Sequence, residues 1–382
     1  MYLSLEFQRA SRPTNATLFM LLGILLTLGV LYSSCGVLPA AQGDEAVLYL
    51  GWDSEGHEQL FRQPLSGLPQ QLTSIPESVL DYSASADGQR LALATGAANG
   101  EGRLIVLKTS GRTLLNESCG GAICSSFSWA PDGRRLLFQT TPIDDDGAAG
   151  APSLQWIDVE SGATTSLLAE NREPGANARL SYDGQWVGYH SPRREGLVLY
   201  NLNDGRSQFI LNEIGPEIAW HPSSNELVMP QLDLVIVHGD EGEDHLAHEH
   251  NYETAVRLLY VNPETGYQTF LSADLPVEDS APAWSPDGQW IAFLRRFYGT
   301  GSARQLWFMR ADGSEAKALL DDPTVNYGPP QWSPDGRTIL FQQIDQDDAQ
   351  ASPSIWRYEI ETGTTEELVN SGMRPTWWVN AS

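Results

Sequence analysis

Four of the seven histidines crowd into one stretch of this 382-residue chain: His238, His245, His248 and His250. Asp240-Glu241-Gly242-Glu243-Asp244 runs among them, and Glu249 sits between the last two. Imidazole and carboxylate together suit zinc, manganese or nickel. His245 and His248 are three apart and would share a helical face, whereas His248 and His250 would share a strand face. Asp240, His245, His248 and His250 are therefore the candidate ligands for a divalent cation. Their spacing matches no recognised metal motif, so a solvated acidic loop is the competing expectation. No cofactor beyond that cation is expected.

Other groups capable of chemistry are scattered. Asp144-Asp145-Asp146, and Asp345 with Asp347 and Asp348, are oxygen-rich runs of the type that holds calcium. Neither carries the glycine-bearing spacing of a calcium loop. Arg193-Arg194 and Arg295-Arg296 are paired guanidinium groups that would grip a carboxylate ligand or balance neighbouring acids. Trp52, in Gly51-Trp52-Asp53-Ser54, is a candidate exposed aromatic. Cys119 and Cys124 are candidates for a disulfide, because two cysteines in a lone C-x4-C do not make a zinc site. No Gly-x-Ser-x-Gly elbow and no phosphate-binding glycine loop occurs. The formal net charge of −26 excludes the basic footprint of a nucleic-acid binder.

The elements that must position these groups follow from a repeat. Trp284-Ser285-Pro286-Asp287-Gly288 runs into Trp290-Ile291-Ala292-Phe293, and Trp332-Ser333-Pro334-Asp335-Gly336 into Ile339-Leu340-Phe341. Trp129-Ala130-Pro131-Asp132-Gly133, Ser85-Ala86-Asp87-Gly88 and Ser181-Tyr182-Asp183-Gly184 are near-copies, and Trp220-His221-Pro222-Ser223-Ser224 is a degenerate one. Proline sets φ for the turn, aspartate bonds the local backbone, and glycine takes the left-handed position that closes a hairpin. A second glycine turn recurs out of phase at Gly67, Gly111, Gly162, Gly205, Gly266, Gly313 and Gly363, each after an apolar strand. Four short strands per 40–50 residues are propeller blades. Counting strands predicts an all-β, seven-bladed propeller over residues 46–379. Its first strand, 47–50, lacks an inner neighbour, and Pro375-Thr376-Trp377-Trp378-Val379 supplies one to close the ring. Five tryptophans, Trp129, Trp220, Trp284, Trp332 and Trp377, hold the same repeat position and are expected to pack between blades.

The Trp-Ser-Pro-Asp-Gly turn followed by an Ile-Ala-Phe strand resembles the TolB-like, WD-repeat-like propellers of bacterial envelope proteins. The resemblance covers 46–379 and implies the propeller fold. That group spans transport accessory proteins, peptidase propellers and metal-dependent pectate-fragment lyases, so it implies no single activity. The last expected strand ends the chain, which leaves no peptidase domain in the expectation.

Residues 1–15 carry Arg9 and Arg12 against Glu6, and 18–32 is apolar apart from Thr27. Ser33-Ser34-Cys35-Gly36 follows. A basic flank, an apolar run and small residues make 16–37 an export signal or a single hydrophobic anchor, with 38–45 as linker. Cys35 is a candidate lipidation site; cleavage near Gly36 or Ala41 and an uncleaved anchor are the alternatives. All three place the propeller outside the cytoplasm, in the cell envelope. The functional expectation is a non-enzymatic tethered scaffold binding protein, peptide or glycan on its loop face. The alternative is a metal-dependent lyase or hydrolase of an acidic saccharide.

Overall fold

The structure is a computed structural model that describes residues 45–96, 102–144, 146–168, 173–215, 217–237, 251–272, 275–298, 301, 303–348 and 350–379. The segment 1–44, with Cys35, and the loop bearing Asp240, His245, His248 and His250 lie outside them. Every regular element described is a strand. Among the described residues no helix is long and apolar enough to cross a membrane.

The strands form consecutive four-stranded antiparallel units. The first unit runs outward as Met373–Val379, Glu45–Trp52, Glu58–Pro64 and Gln70–Gln71. The second is Ser78–Ala84, Arg90–Gly96, Gly102–Lys108 and Thr113–Ser118; the third is Ala122–Trp129, Arg135–Pro142, Ser153–Asp158 and Thr164–Ser166. The fourth is Ala176–Leu180, Trp186–Ser191, Gly196–Asn201 and Ser207–Leu211. An eight-stranded path follows. Its first half is Ala219–Trp220, Leu227–Val237, Asn251–Asn262 and Tyr267–Phe270; its second is Val277–Trp284, Trp290–Phe297, Gln305–Arg310 and Lys317–Leu320. A single parallel bridge, Val256 to Glu278, joins these fifth and sixth units. In the last unit the inner edge is split into Val325–Tyr327 and Gln331–Trp332, both on Thr338–Asp345, with Ser354–Glu359 and Thr364–Val369 outside. The C-terminal strand lies where the repeat puts it, with Val47 opposite Trp377 and Ala46 opposite Trp378.

The turn chemistry explains the repeat. In the sixth unit Gly288 has φ +69° and its N–H donates 2.9 Å to the Ser285 carbonyl. The Ser285 hydroxyl donates to Asp287 Oδ1 at 2.5 Å and accepts the Trp290 N–H at 2.9 Å. Asp287 Oδ1 also accepts the Gln289 N–H at 3.0 Å. These bonds, the Ser285 one foremost, hold the Asp287 carboxyl below the usual carboxylate range. Ser181-Asp183 and Ser333-Asp335 repeat the hydroxyl-to-carboxylate bond at 2.7 and 2.6 Å. All seven glycines of the second turn have positive φ, from 68° at Gly363 to 123° at Gly67.

No unit owns a core. Alternate residues of each strand face opposite neighbours, so Leu91 and Leu93 pack with Leu48, Leu50 and Trp378 of the first unit. Ala92 and Ala94 pack instead with Leu136 and Phe138 of the third. Seven such apolar clusters occur among the described residues, each drawn from two consecutive units. One of them joins Leu340 and Ile355 of the last unit to Val47 and Tyr49 of the first.

Candidate functional site: a polar ring on the inner strands

Three residues before the tryptophan position, the inner strand of most units breaks register. Shifts fall between Ser125 and Ser128, Ala176 and Arg179, and Ser280 and Ala283. Val79 to Asp81 shifts likewise, as does Leu48 to Leu50 opposite the C-terminal strand. Ser126, Asn177, Ala281 and Arg374 sit in these bulges with φ of 55°, 53°, 49° and 54°. A bulge frees one N–H from the ladder and re-aims one side chain. Each freed N–H is taken by the preceding unit. Ser126 donates to Asp81 Oδ2 at 2.8 Å, and Asn177 to Gln139 Oε1 at 2.9 Å. Ala281 donates to Glu217 Oε2 at 2.7 Å, and Arg374 to Gln342 Oε1 at 3.0 Å.

The repeated tryptophans stitch the same seam. Indole N–H groups of Trp129, Trp220, Trp284, Trp332 and Trp377 donate to the carbonyls of Ser83, Arg179, Ala219, Ala283 and Gln331, at 3.0–3.3 Å. Ala84 and Leu180 occupy the tryptophan position in the second and fourth units, and other groups substitute. Trp378 donates to the Gly88 carbonyl at 2.9 Å, and the Leu180 N–H to Ser128 Oγ at 3.1 Å.

The charged members of the ring converge. Arg374 donates to Asp81 Oδ1 at 2.9 Å and to the Leu80 carbonyl at 2.5 Å. Asp81 Oδ1 also accepts the Tyr82 N–H at 2.9 Å. The Tyr82 hydroxyl lies between the carbonyls of Leu48, at 2.9 Å, and Arg374, and its one proton is shared between them. Burial pushes that phenol well above its usual range, so it remains a donor. Arg179, on the fourth unit's inner strand, is exposed and donates 3.1 Å to the Ala178 carbonyl. Hydrogen bonds thus link Arg374 of the first unit, through Asp81 of the second, to Ser126 of the third. Ser126 Oγ donates to Asn177 Oδ1 at 2.8 Å beside them. The ring holds two cations, Arg179 and Arg374, and two carboxylates, Asp81 and Glu217, whose accepted bonds tie neighbouring units together.

The remaining candidates fall elsewhere. Trp52 is 43% exposed at the end of its strand. Arg193 is exposed, and Arg194 lies 4.0 Å over the Phe209 ring. Arg295 corrects the expectation of a binding-face residue: it is 2% exposed and forks onto Asp279 with bonds of 2.7 and 2.8 Å. The reason is register, since Asp279 stands directly opposite it on the neighbouring strand. Arg296 bonds Glu278, which Arg304 also approaches at 3.3 Å. Asp144, Asp345 and Asp348 accept N–H groups of their own loops at 2.7–3.1 Å. Among the described residues no group of three or more His, Cys, Asp or Glu is gathered for a metal. His221 stands edge-on to Trp284 at 4.8 Å, in a cavity of about 530 Å³ between the fifth and sixth units.

Cys119 and Cys124 are bonded to each other, with Cα atoms 6.0 Å apart. Protein recovered from an oxidising compartment should therefore show neither thiol to an alkylating reagent until it is reduced, as peptide mass spectrometry would report. Labelling of both without reductant would reject the bond.

No family model matches the chain. The uncharacterized protein Atu1656 of Agrobacterium fabrum is 27% identical over 266 residues, covering 65% of this chain and 81% of that protein. A prolyl endopeptidase structure superposes with a TM-score of 0.57 at 12% identity, over 91% of this chain and 50% of that one. This chain thus spans half the length of that enzyme. The β-propeller domain of the Trilobed protease from Pyrococcus furiosus superposes with a TM-score of 0.52, also at 12% identity, over 77% of this chain and 85% of that one. That domain is described as having an open velcro topology, whereas here the last strand pairs with the first. At these identities the likeness establishes the fold: the chain is an all-β propeller.

Proposed function

We propose that this protein is a seven-bladed propeller, held in the cell envelope by its N-terminal segment, that binds a protein, peptide or glycan on its loop face. Seven clusters shared between consecutive units, with the eight-stranded sheet taken as two blades, support the blade count. The function rests on where apolar surface is left open. Successive antiparallel strands place the ends of the second strands and the starts of the inner strands on one face. Trp52, Leu80, Ile123, Leu275 and Tyr298 are all exposed there, at 37–43%. The fifth unit adds a hairpin whose strands, Leu227–Val237 and Asn251–Asn262, are the longest of the fold. Leu232 and Leu234 are 36% and 64% exposed along it, while Val235 and Ala255 are buried. Apolar side chains gathered on one face with a projecting hairpin mark an interaction surface.

The test is a peptide array and a panel of neutral and acidic oligosaccharides probed with the full chain and with the W52A/L232S/L234S variant. A ligand recovered intact, bound at least tenfold more weakly by a variant of unchanged melting temperature, is the expected result. Conversion of an acidic oligosaccharide by protein carrying a stoichiometric transition metal would instead establish the lyase or hydrolase reading and overturn this one.

A further inference from the structure

We propose that the cavity between the fifth and sixth units binds a quaternary ammonium group, held against the rings of Trp284, Tyr260 and Tyr267 with the Glu226 carboxylate as its counter-charge. The cavity lies among the glycine turns, on the face opposite the loops. The proposal therefore goes beyond the loop-face reading and does not depend on it.

The fifth unit departs from the repeat at this cavity. In the other turns the N–H groups of Ser85, Ala130, Ser181, Ser285 and Ser333 donate across the hairpin to the carbonyls of Arg90, Arg135, Trp186, Trp290 and Thr338, at 2.8–2.9 Å. In the fifth unit the same bond joins His221 to Glu226 at 2.8 Å. Glu226 thus puts a carboxylate where the units on either side carry a tryptophan. Trp186 is 1% exposed within its seam, and Trp290 packs on Phe308 at 4.9 Å in the next. Glu226 is smaller, and the seam beside it keeps about 530 Å³ open. His221 replaces the serine of the turn. Its ring seats over Gly288, leaving no room for a Cβ there, and stands edge-on to Trp284. Its Nδ1 accepts the Ser223 N–H at 3.2 Å and so carries no proton.

The walls are aromatic and their charge is negative. Tyr260 and Tyr267 meet edge-to-face at 6.2 Å. Burial, then the Glu226 charge and a bond to Glu226, push the Tyr260 phenol up to about 12, so it stays a neutral ring that donates to that carboxylate. Among the described residues no lysine or arginine lines the cavity, whereas Glu226 and Asp312 do. The arginines behind it are already answered. Arg257, over the Phe270 ring at 4.7 Å, pairs with Asp233 at 2.6 Å, and Arg310 pairs with Glu315 at 2.8 Å. Ring faces attract a cation, and the net charge of −26 raises its local concentration. The state of Glu226 decides against a primary ammonium. Its oxygens already accept the Ser224 hydroxyl, the Asn262 amide at 3.3 Å and the Tyr260 hydroxyl. A primary ammonium brings three N–H donors that need acceptors, whereas a quaternary one brings none. Its methyl groups meet the ring faces, and its charge still meets the carboxylate.

The experiment is calorimetric titration of the full chain with choline, ethanolamine and 3,3-dimethyl-1-butanol, which has the shape of choline without its charge. Choline should bind at least tenfold more tightly than the alcohol and at least fivefold more tightly than ethanolamine. Tyr267→Ala should weaken choline binding at least fivefold at unchanged melting temperature, because Tyr267 is 59% exposed. Tyr267→Phe, which keeps the ring, should bind as the parent does. Glu226→Gln, which keeps the shape and loses the charge, should weaken binding at least tenfold; should it melt lower, the two Tyr267 variants decide. The W52A/L232S/L234S variant should bind choline as the parent does. The proposal is overturned if choline binds no better than the alcohol, if ethanolamine matches it, if Tyr267→Ala binds as the parent does, or if the loop-face variant loses choline.

Discussion

A chain shortened to end at Gly372 is expected to lose cooperative melting or to associate, because the first unit then lacks its inner strand. The deletion removes Trp378, 1% exposed and packed with Leu48, Leu60 and Leu91. It removes the Trp377 and Trp378 indole bonds and the Arg374–Asp81 pair, so both flanks of the first unit lose their seams. It also uncovers the edge of Glu45–Trp52, an apolar strand whose unpaired backbone would template pairing with another chain. Trp378→Ala alone should cost about 3–5 kcal/mol, against a total of about 5–15 kcal/mol for a typical domain. Light scattering and a thermal melt read both variants. A monomer with the parent's melting temperature would show that the strand does not close the ring.

The second large effect is expected at Arg295 and Asp279, which are 3% and 0% exposed as side chains. Their fork is completed by the Ser272 hydroxyl, which donates to Asp279, and by the Phe293 and Trp307 rings at 5.1 and 4.6 Å from the guanidinium. Removing one partner strands the other charge in the core, so Asp279→Asn should destabilise by about 3–5 kcal/mol. Adding Arg295→Met should restore much of that loss, because no buried charge then lacks a partner. Urea denaturation of the two single variants and the double variant measures it. A single variant as stable as the parent would mean the pair is neutralised by something else.

The architecture was legible because its signals are conformational. A glycine at positive φ and a proline before an aspartate mean much the same wherever they occur, so the turns at Gly67, Gly288 and Gly363 could be placed directly. The inner ring was not legible in this way. Asp81, Ser126, Asn177, Glu217, Ala281 and Arg374 share a position and no chemistry. The only signal was an offset of three residues before the tryptophan or its stand-in, and it becomes visible once the tryptophans are aligned. The arginine pairs show the other limit. Arg194 and Arg295 follow similar hairpins, yet one lies over Phe209 and the other is buried on Asp279. Residue type cannot tell these apart; the cross-strand partner does, and that partner depends on a bulge that shifts the register by one.

The pairing of Glu45–Trp52 with Met373–Val379 also sets a schedule for synthesis. Glu45–Trp52 and its outer neighbours leave the ribosome long before their inner partner Met373–Val379. At about 5–20 residues per second, the roughly 310 residues between Pro64 and Met373 put about 15–60 s between making the strand and being able to cover it. For that interval an apolar edge with Ala46, Val47, Leu48 and Leu50 stands open. Such an edge favours a holding factor that shields it until Met373–Val379 is made.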